Sequence, residues 1–170
     1  LQTKIEQADE SLQDAKDDLT KAQEEQRKAQ STYDSAVSDY NTLESAYNAA
    51  VANVEALNAA YTTAQQTYAQ AKNNYEVAVE IYNNDGGSPT EAHTQAKNDA
   101  EAALNTALAD YNAADAALNS AKNNCSVPSL NLYGYDAVKQ AYSQAGTTKT
   151  QAENALESAK NAVESATKQI

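Results

Sequence analysis

Few side chains in this sequence are of a kind that does covalent or metal chemistry. It holds one histidine, His93, and one cysteine, Cys125. A ligating or proton-transferring histidine needs a second group at workable spacing. Asp85 and Glu91 are near in sequence but show no ligand spacing, so His93 reads as a polar position at a fraying helix end. A lone Cys allows no internal disulfide; Cys125 is either a small apolar packing residue or a thiol joining two chains. It also lies in Asn124-Cys125-Ser126, a glycosylation sequon with meaning only in a eukaryotic secretory pathway. The acidic pairs Asp9-Glu10, Asp17-Asp18 and Glu24-Glu25 recur every seven or eight residues, as the solvated flanks of a helix do. Asp85-Gly86-Gly87 lacks the oxygen ligands that would follow in a calcium loop. There is no Ser-His-Asp set, no Gly-rich phosphate loop and no Cys/His cluster, so no enzyme, cofactor or metal is expected.

Charge narrows the partners. Twelve Lys and Arg stand against twenty-four Asp and Glu, a net charge of −12, and no basic residue occurs between Lys28 and Lys72. Binding to nucleic acid or to an anionic membrane surface is therefore disfavoured. No run of 18 apolar residues occurs, so no membrane insertion is expected. Leu1 in place of an initiator Met, with no secretory signal, reads as a processed chain or an excised fragment. With no Phe, Trp or Met but eleven Tyr, and a mean hydropathy of −0.74, the chain is too polar for a thick core with a deep pocket.

The apolar residues are ordered. Tyr recurs at 33, 40, 47, 61, 68, 75 and 82, with Val54 in the gap and Gln26, Leu19, Leu12 and Ile5 upstream at the same period of seven. Three residues after each of these but Tyr82 stands Ala or Leu: Ala8, Ala15, Ala22, Ala29, Ala36, Leu43, Ala50, Leu57, Ala64, Ala71 and Ala78. Called a and d, these positions describe a supercoiled helix over 1–83, on the order of 125 Å long at 1.5 Å per residue. A tip turn follows at 84–88. Ser88 is expected as N-cap, Pro89 at the first helical position and Glu91 in a capping box, opening a helix over 89–124. Its a positions are Lys97, Leu104, Tyr111 and Leu118. The segment 125–134 is aperiodic and contains Pro128 and Gly134. A third helix over 135–170 carries Tyr135, Tyr142, Lys149, Leu156, Val163 and Ile170 at a.

The fold expected is all-α: one domain over 1–170, a long antiparallel coiled-coil hairpin with Tyr or Leu at a and Ala at d. Helix one is the first arm, and the second arm is interrupted near 125–134. Tyr61 is expected beside Ala114 and Tyr68 beside Ala107. If 125–134 runs extended, Tyr33 meets Val138 and Leu1 meets Ile170; if it loops out, the pairing shifts by a heptad. Each Tyr would lie across an opposing Ala with its hydroxyl in water at the seam edge. The alternative is a three-helix bundle with a protruding N-terminal helix. Gln26, Gly146 and Lys149, with the 125–134 segment, mark the expected soft zone.

Val127, Leu130, Leu132, Tyr133 and Tyr135 are too apolar for an ordinary loop. They either fold back over Tyr40, Leu43 and Tyr47 or form a candidate partner contact.

Segments such as Tyr47-Asn-Ala-Ala-Val-Ala-Asn and Tyr68-Ala-Gln-Ala-Lys-Asn-Asn-Tyr75 resemble the alanine-rich heptads of Gram-positive wall-anchored adhesins of the antigen I/II type. The likeness covers helix one; proline-rich repeats are absent and the chain folds back. The resemblance implies a non-enzymatic stalk on the cell surface, anchored to the wall through regions outside this sequence. Adjacent domains would then engage a protein or glycan receptor, and the stalk itself would be a monomer or weak dimer. A helical binding module that engages a partner through its surface or through 127–135 is the competing expectation.

Overall fold

Alanine is the best helix former, and Gly and Pro are absent before Gly86. α1 accordingly runs from Gln2 to Asn84 without a break in the computed structural model, which describes all 170 residues. Its exposed faces carry local side-chain bonds, among them Gln13 to Asp17 and Gln30 to Asp34, both 2.9 Å, and the Arg27–Glu24 ion pair at 2.7 Å. α2 spans Glu91–Asn124 and α3 spans Tyr135–Lys168. The chain is all-α apart from one small element. Ser126–Val127 (β1) and Leu132–Tyr133 (β2) form a two-stranded sheet around a 3₁₀ turn at Pro128–Leu130.

Two expectations are corrected here. The first helical residue after the tip is Glu91, not Pro89, and the N-cap is Thr90, not Ser88. Thr90 has extended backbone (φ −65°, ψ 153°), and its hydroxyl accepts the His93 N–H at 3.1 Å. The 125–134 segment does not run extended from α2 to α3 but turns back on itself, as in the looped-out alternative. Asn131 at φ 56° and Gly134 at φ 95° take the left-handed turns that close it into a hairpin.

The chain divides into two compact units. One comprises residues 1–47, 127–132 and 137–170; the other comprises 48–126 and 133–136. In the first, the buried residues of α1 include Ala15, Ala22, Ala36 and Leu43, and those of α3 are Val138, Ala152, Leu156 and Ala166. The Tyr142 ring lies 5.4 Å from that of Tyr40 and 5.2 Å from that of Tyr47. A Cβ on Gly146 would sit 3.7 Å from Tyr40, and the Lys149 ammonium lies 4.4 Å above the same ring. As α1 descends from 47 to 40, α3 ascends from 142 to 149, so the helices are antiparallel. This register differs from both pairings expected for α3. It places Tyr47 level with Val138, two heptads from the Tyr33–Val138 pairing and one heptad from the looped-out alternative, because β1 and β2 fold on themselves and take up the intervening residues.

In the other unit, Tyr111 of α2 lies beside Tyr61 and Tyr68, with ring centroids 5.3 and 5.8 Å away. Nearer the turn, the Lys97 ammonium sits 4.5 Å above the Tyr82 ring. α1 and α2 are thus antiparallel too. The core is thin: Val54, Ala71, Ala107 and Leu118 are its buried aliphatic residues.

Candidate functional site

Tyrosine does more than fill space. The hydroxyls of Tyr61 and Tyr111 are 3.0 Å apart, and those of Tyr40 and Tyr142 are 3.4 Å apart. Each pair is half-buried, so the phenols bond to each other where water alone was expected to serve them. The bond to Tyr142, then burial, then the nearby Glu44 charge push the Tyr40 phenol up to about 12. The bond to Tyr111 raises Tyr61 in the same way. The lysines at a positions, Lys97 and Lys149, each lie over a Tyr ring, so a cation–π contact accounts for these polar interruptions. A Lys at a with a Tyr elsewhere in the seam is the sequence signal for it.

The turn at the end of α1 is an ordered polar cluster rather than a fraying end. One Asp85 carboxylate oxygen accepts the Thr90 N–H at 3.1 Å and lies 2.6 Å from His93 Nδ1. The His93 bond, followed by the Thr90 N–H, holds the Asp85 carboxyl below its ordinary value. Gly86, at φ 73°, lets the chain turn sharply enough for this. Beside it, Val77 and Ile81 are 48% and 45% exposed and line a shallow cleft of about 260 Å³ with His93. No group of three or more His, Cys, Asp or Glu could hold a metal ion.

The residues of 125–135 have distinct surroundings. Val127 is buried, and Leu130 and Leu132 are half-buried. These two leucines line a cleft of about 250 Å³ with Leu43, Ala141, Ala145 and Asp39. That cleft is below the usual range for a small-molecule site and would admit one apolar side chain. Cys125 and Tyr135 are buried, 6% and 5% exposed, and burial pushes the Cys125 thiol up. Tyr133 is 65% exposed.

No family model, curated protein or solved structure matches this chain. None of the helices is long and apolar enough to cross a membrane.

Proposed function

We propose that this chain is a non-enzymatic spacer: a coiled-coil hairpin stalk in a larger microbial cell-surface protein of adhesin type, projecting domains that bind a protein or glycan receptor. In this reading α1 is one arm and α2 with α3 is the other. The observation that carries it is the 83-residue α1, each of whose halves belongs to a unit with an antiparallel helix of its own. Charge of −12 spread along such surfaces favours solubility over association with nucleic acid. The Tyr clusters and a thin Ala-rich core suit a helix pair that needs no enclosed cavity.

Small-angle scattering with a mass measurement on dilute protein tests the architecture. The 83-residue α1 sets a maximum dimension on the order of 125 Å in either architecture, so the cross-section decides: a two-helix cross-section along the whole length of a monomer agrees with the hairpin. A thick three-helix body with a thin single-helix extension agrees with the bundle that has a protruding N-terminal helix.

A second reading is favoured by one observation. Tyr133 is 65% exposed in a segment whose other apolar members are largely covered, and exposed Tyr is a common anchor of protein interfaces. Here the chain is itself a binding module. Replacing Tyr133 by Ser separates the readings. Loss of capture of a cell-surface receptor, with helicity unchanged, supports the module; unchanged attachment supports the stalk.

A further inference from the structure

Six of the eleven tyrosines form two clusters of one design, one in each unit. In each, two tyrosines seven residues apart on α1 meet one tyrosine of the facing helix. Tyr61 and Tyr68 meet Tyr111 of α2, and Tyr40 and Tyr47 meet Tyr142 of α3. Packing alone asks for rings in contact, not for hydroxyls in register. Yet in one pair of each cluster the phenol oxygens are closer than the ring centres: 3.0 against 5.3 Å for Tyr61–Tyr111, and 3.4 against 5.4 Å for Tyr40–Tyr142. The rings of each pair converge on their hydroxyl edges. That edge carries the ortho carbons, which share the unpaired electron of a phenoxyl radical with the oxygen. All four rings are half-buried, so none is sealed from an oxidant in solution.

We propose that Tyr61–Tyr111 and Tyr40–Tyr142 are modification sites, each closing to a dityrosine cross-link under a one-electron oxidant, namely a haem peroxidase with hydrogen peroxide. Each phenol gives one electron to the oxidant and its proton to a nearby base. Glu44 stands beside Tyr40, and Asp115 beside Tyr61. The two radicals join through one ortho carbon each. The hydrogen on each of those carbons leaves as a proton while a proton returns to each oxygen, which restores both phenols. The pair loses two hydrogen atoms in all, and the peroxide, split at its O–O bond, takes them up as two waters. Composition favours these rings as the target. The chain has no Trp or Met to divert the oxidising equivalents, and its one thiol, Cys125, is 6% exposed. The links tie α1 to α2 across 50 positions of sequence and α1 to α3 across 102. Each closes a long loop in the unfolded chain and so holds its helix pair together under conditions that would part it. This property is independent of whether the chain is a spacer or a binding module.

Peroxidase and hydrogen peroxide acting on the 170-residue chain, followed by trypsin and mass spectrometry, test this. Protein at about 1 µM keeps coupling between chains slow beside coupling within a pair. The absence of Lys and Arg between Lys28 and Lys72 leaves 29–72 as one peptide, while Tyr111 and Tyr142 fall in 98–122 and 140–149. The expected products, from protein of monomer mass, are 29–72 joined to 98–122 and 29–72 joined to 140–149, each two hydrogens lighter than its parts. Fragmentation should place the links at Tyr61 and Tyr40, roughly tenfold or more above any link through Tyr33, Tyr75, Tyr82 or Tyr133. Tyr111→Phe should keep its circular dichroism, lose the first product and retain the second; Tyr142→Phe should do the reverse. Absence of both products overturns the proposal, as does coupling only between chains through the exposed Tyr133. Equal yields from chain unfolded in concentrated urea would overturn it too, because the links would then owe nothing to the fold. Links at Tyr68 or Tyr47 in place of Tyr61 and Tyr40 would overturn the assignment to the hydroxyl-bonded pairs.

Discussion

The hydroxyl of Tyr40 lies 3.4 Å from that of Tyr142, and the Lys149 ammonium stands 4.4 Å above the Tyr40 ring. A polar contact thus sits inside the α1–α3 seam, and it titrates. Tyr40 is raised from 10.0 to about 12 in the folded chain. A phenol raised on folding contributes stability that is complete below its unfolded value and lost as pH rises through its folded one. We expect alkaline destabilisation of this helix pair between about pH 10 and 12, followed by ultraviolet phenolate absorbance. Tyr142→Phe should move the Tyr40 titration downward.

At the other polar cluster the sign is reversed. The Asp85 carboxylate is held below 3.8 by His93 and Thr90, so its contribution is complete above that value and fades as pH falls through the lower folded one. Protection of the Thr90 amide, measured against its intrinsic exchange rate, should fall in strong acid, and Asp85→Asn should abolish that acid step. Thr90→Ala removes the helix cap and should cost about 1 kcal/mol, or about 2–4 °C in melting temperature.

Gly146 lies within α3, and an added Cβ meets Tyr40 at 3.7 Å, an ordinary contact distance. Gly146→Ala should therefore raise stability by about 0.5–1 kcal/mol, measured by urea unfolding. A loss of stability would mean that the packing around Tyr40 is tighter than this distance shows.

Val138 is the one large side chain with no exposed surface. Val138→Ala removes two methyl groups from a filled site and should cost about 2 kcal/mol. Leu12→Ala, at a position 40% exposed, should change monomer stability by less than about 0.5 kcal/mol. Equal effects at the two sites would contradict the difference in their burial.

The helices were legible because Gly86-Gly87, Pro128 and Gly134 are strong breakers in an otherwise Ala-rich chain. The pairing of α3 with α1 was not. A seven-residue repeat looks the same after a shift of seven, so the register depends on the path of 125–134, and that path depends on Asn131 entering the left-handed region. The cap was misplaced by two residues because Ser88, Pro89 and Glu91 imitate a helix start. The deciding partner, Asp85, lies across the turn, where local patterns do not reach. Of the candidate contact residues, the sequence could mark 127–135 as unusually apolar, yet Tyr133 alone of the five is fully at the surface. The Lys–Tyr contacts had a signal in the lysines at a positions, but which ring each one meets depends on how the helices pair.

Cys125 is the only sulfur in the chain, because methionine is absent, and it is 6% exposed. Tryptophan is absent as well. Peroxide arriving from solvent therefore meets no thioether, and its one thiol target is shielded and raised above its ordinary pKa. Oxidation at sulfur in the folded chain should begin only when the packing around Cys125 opens.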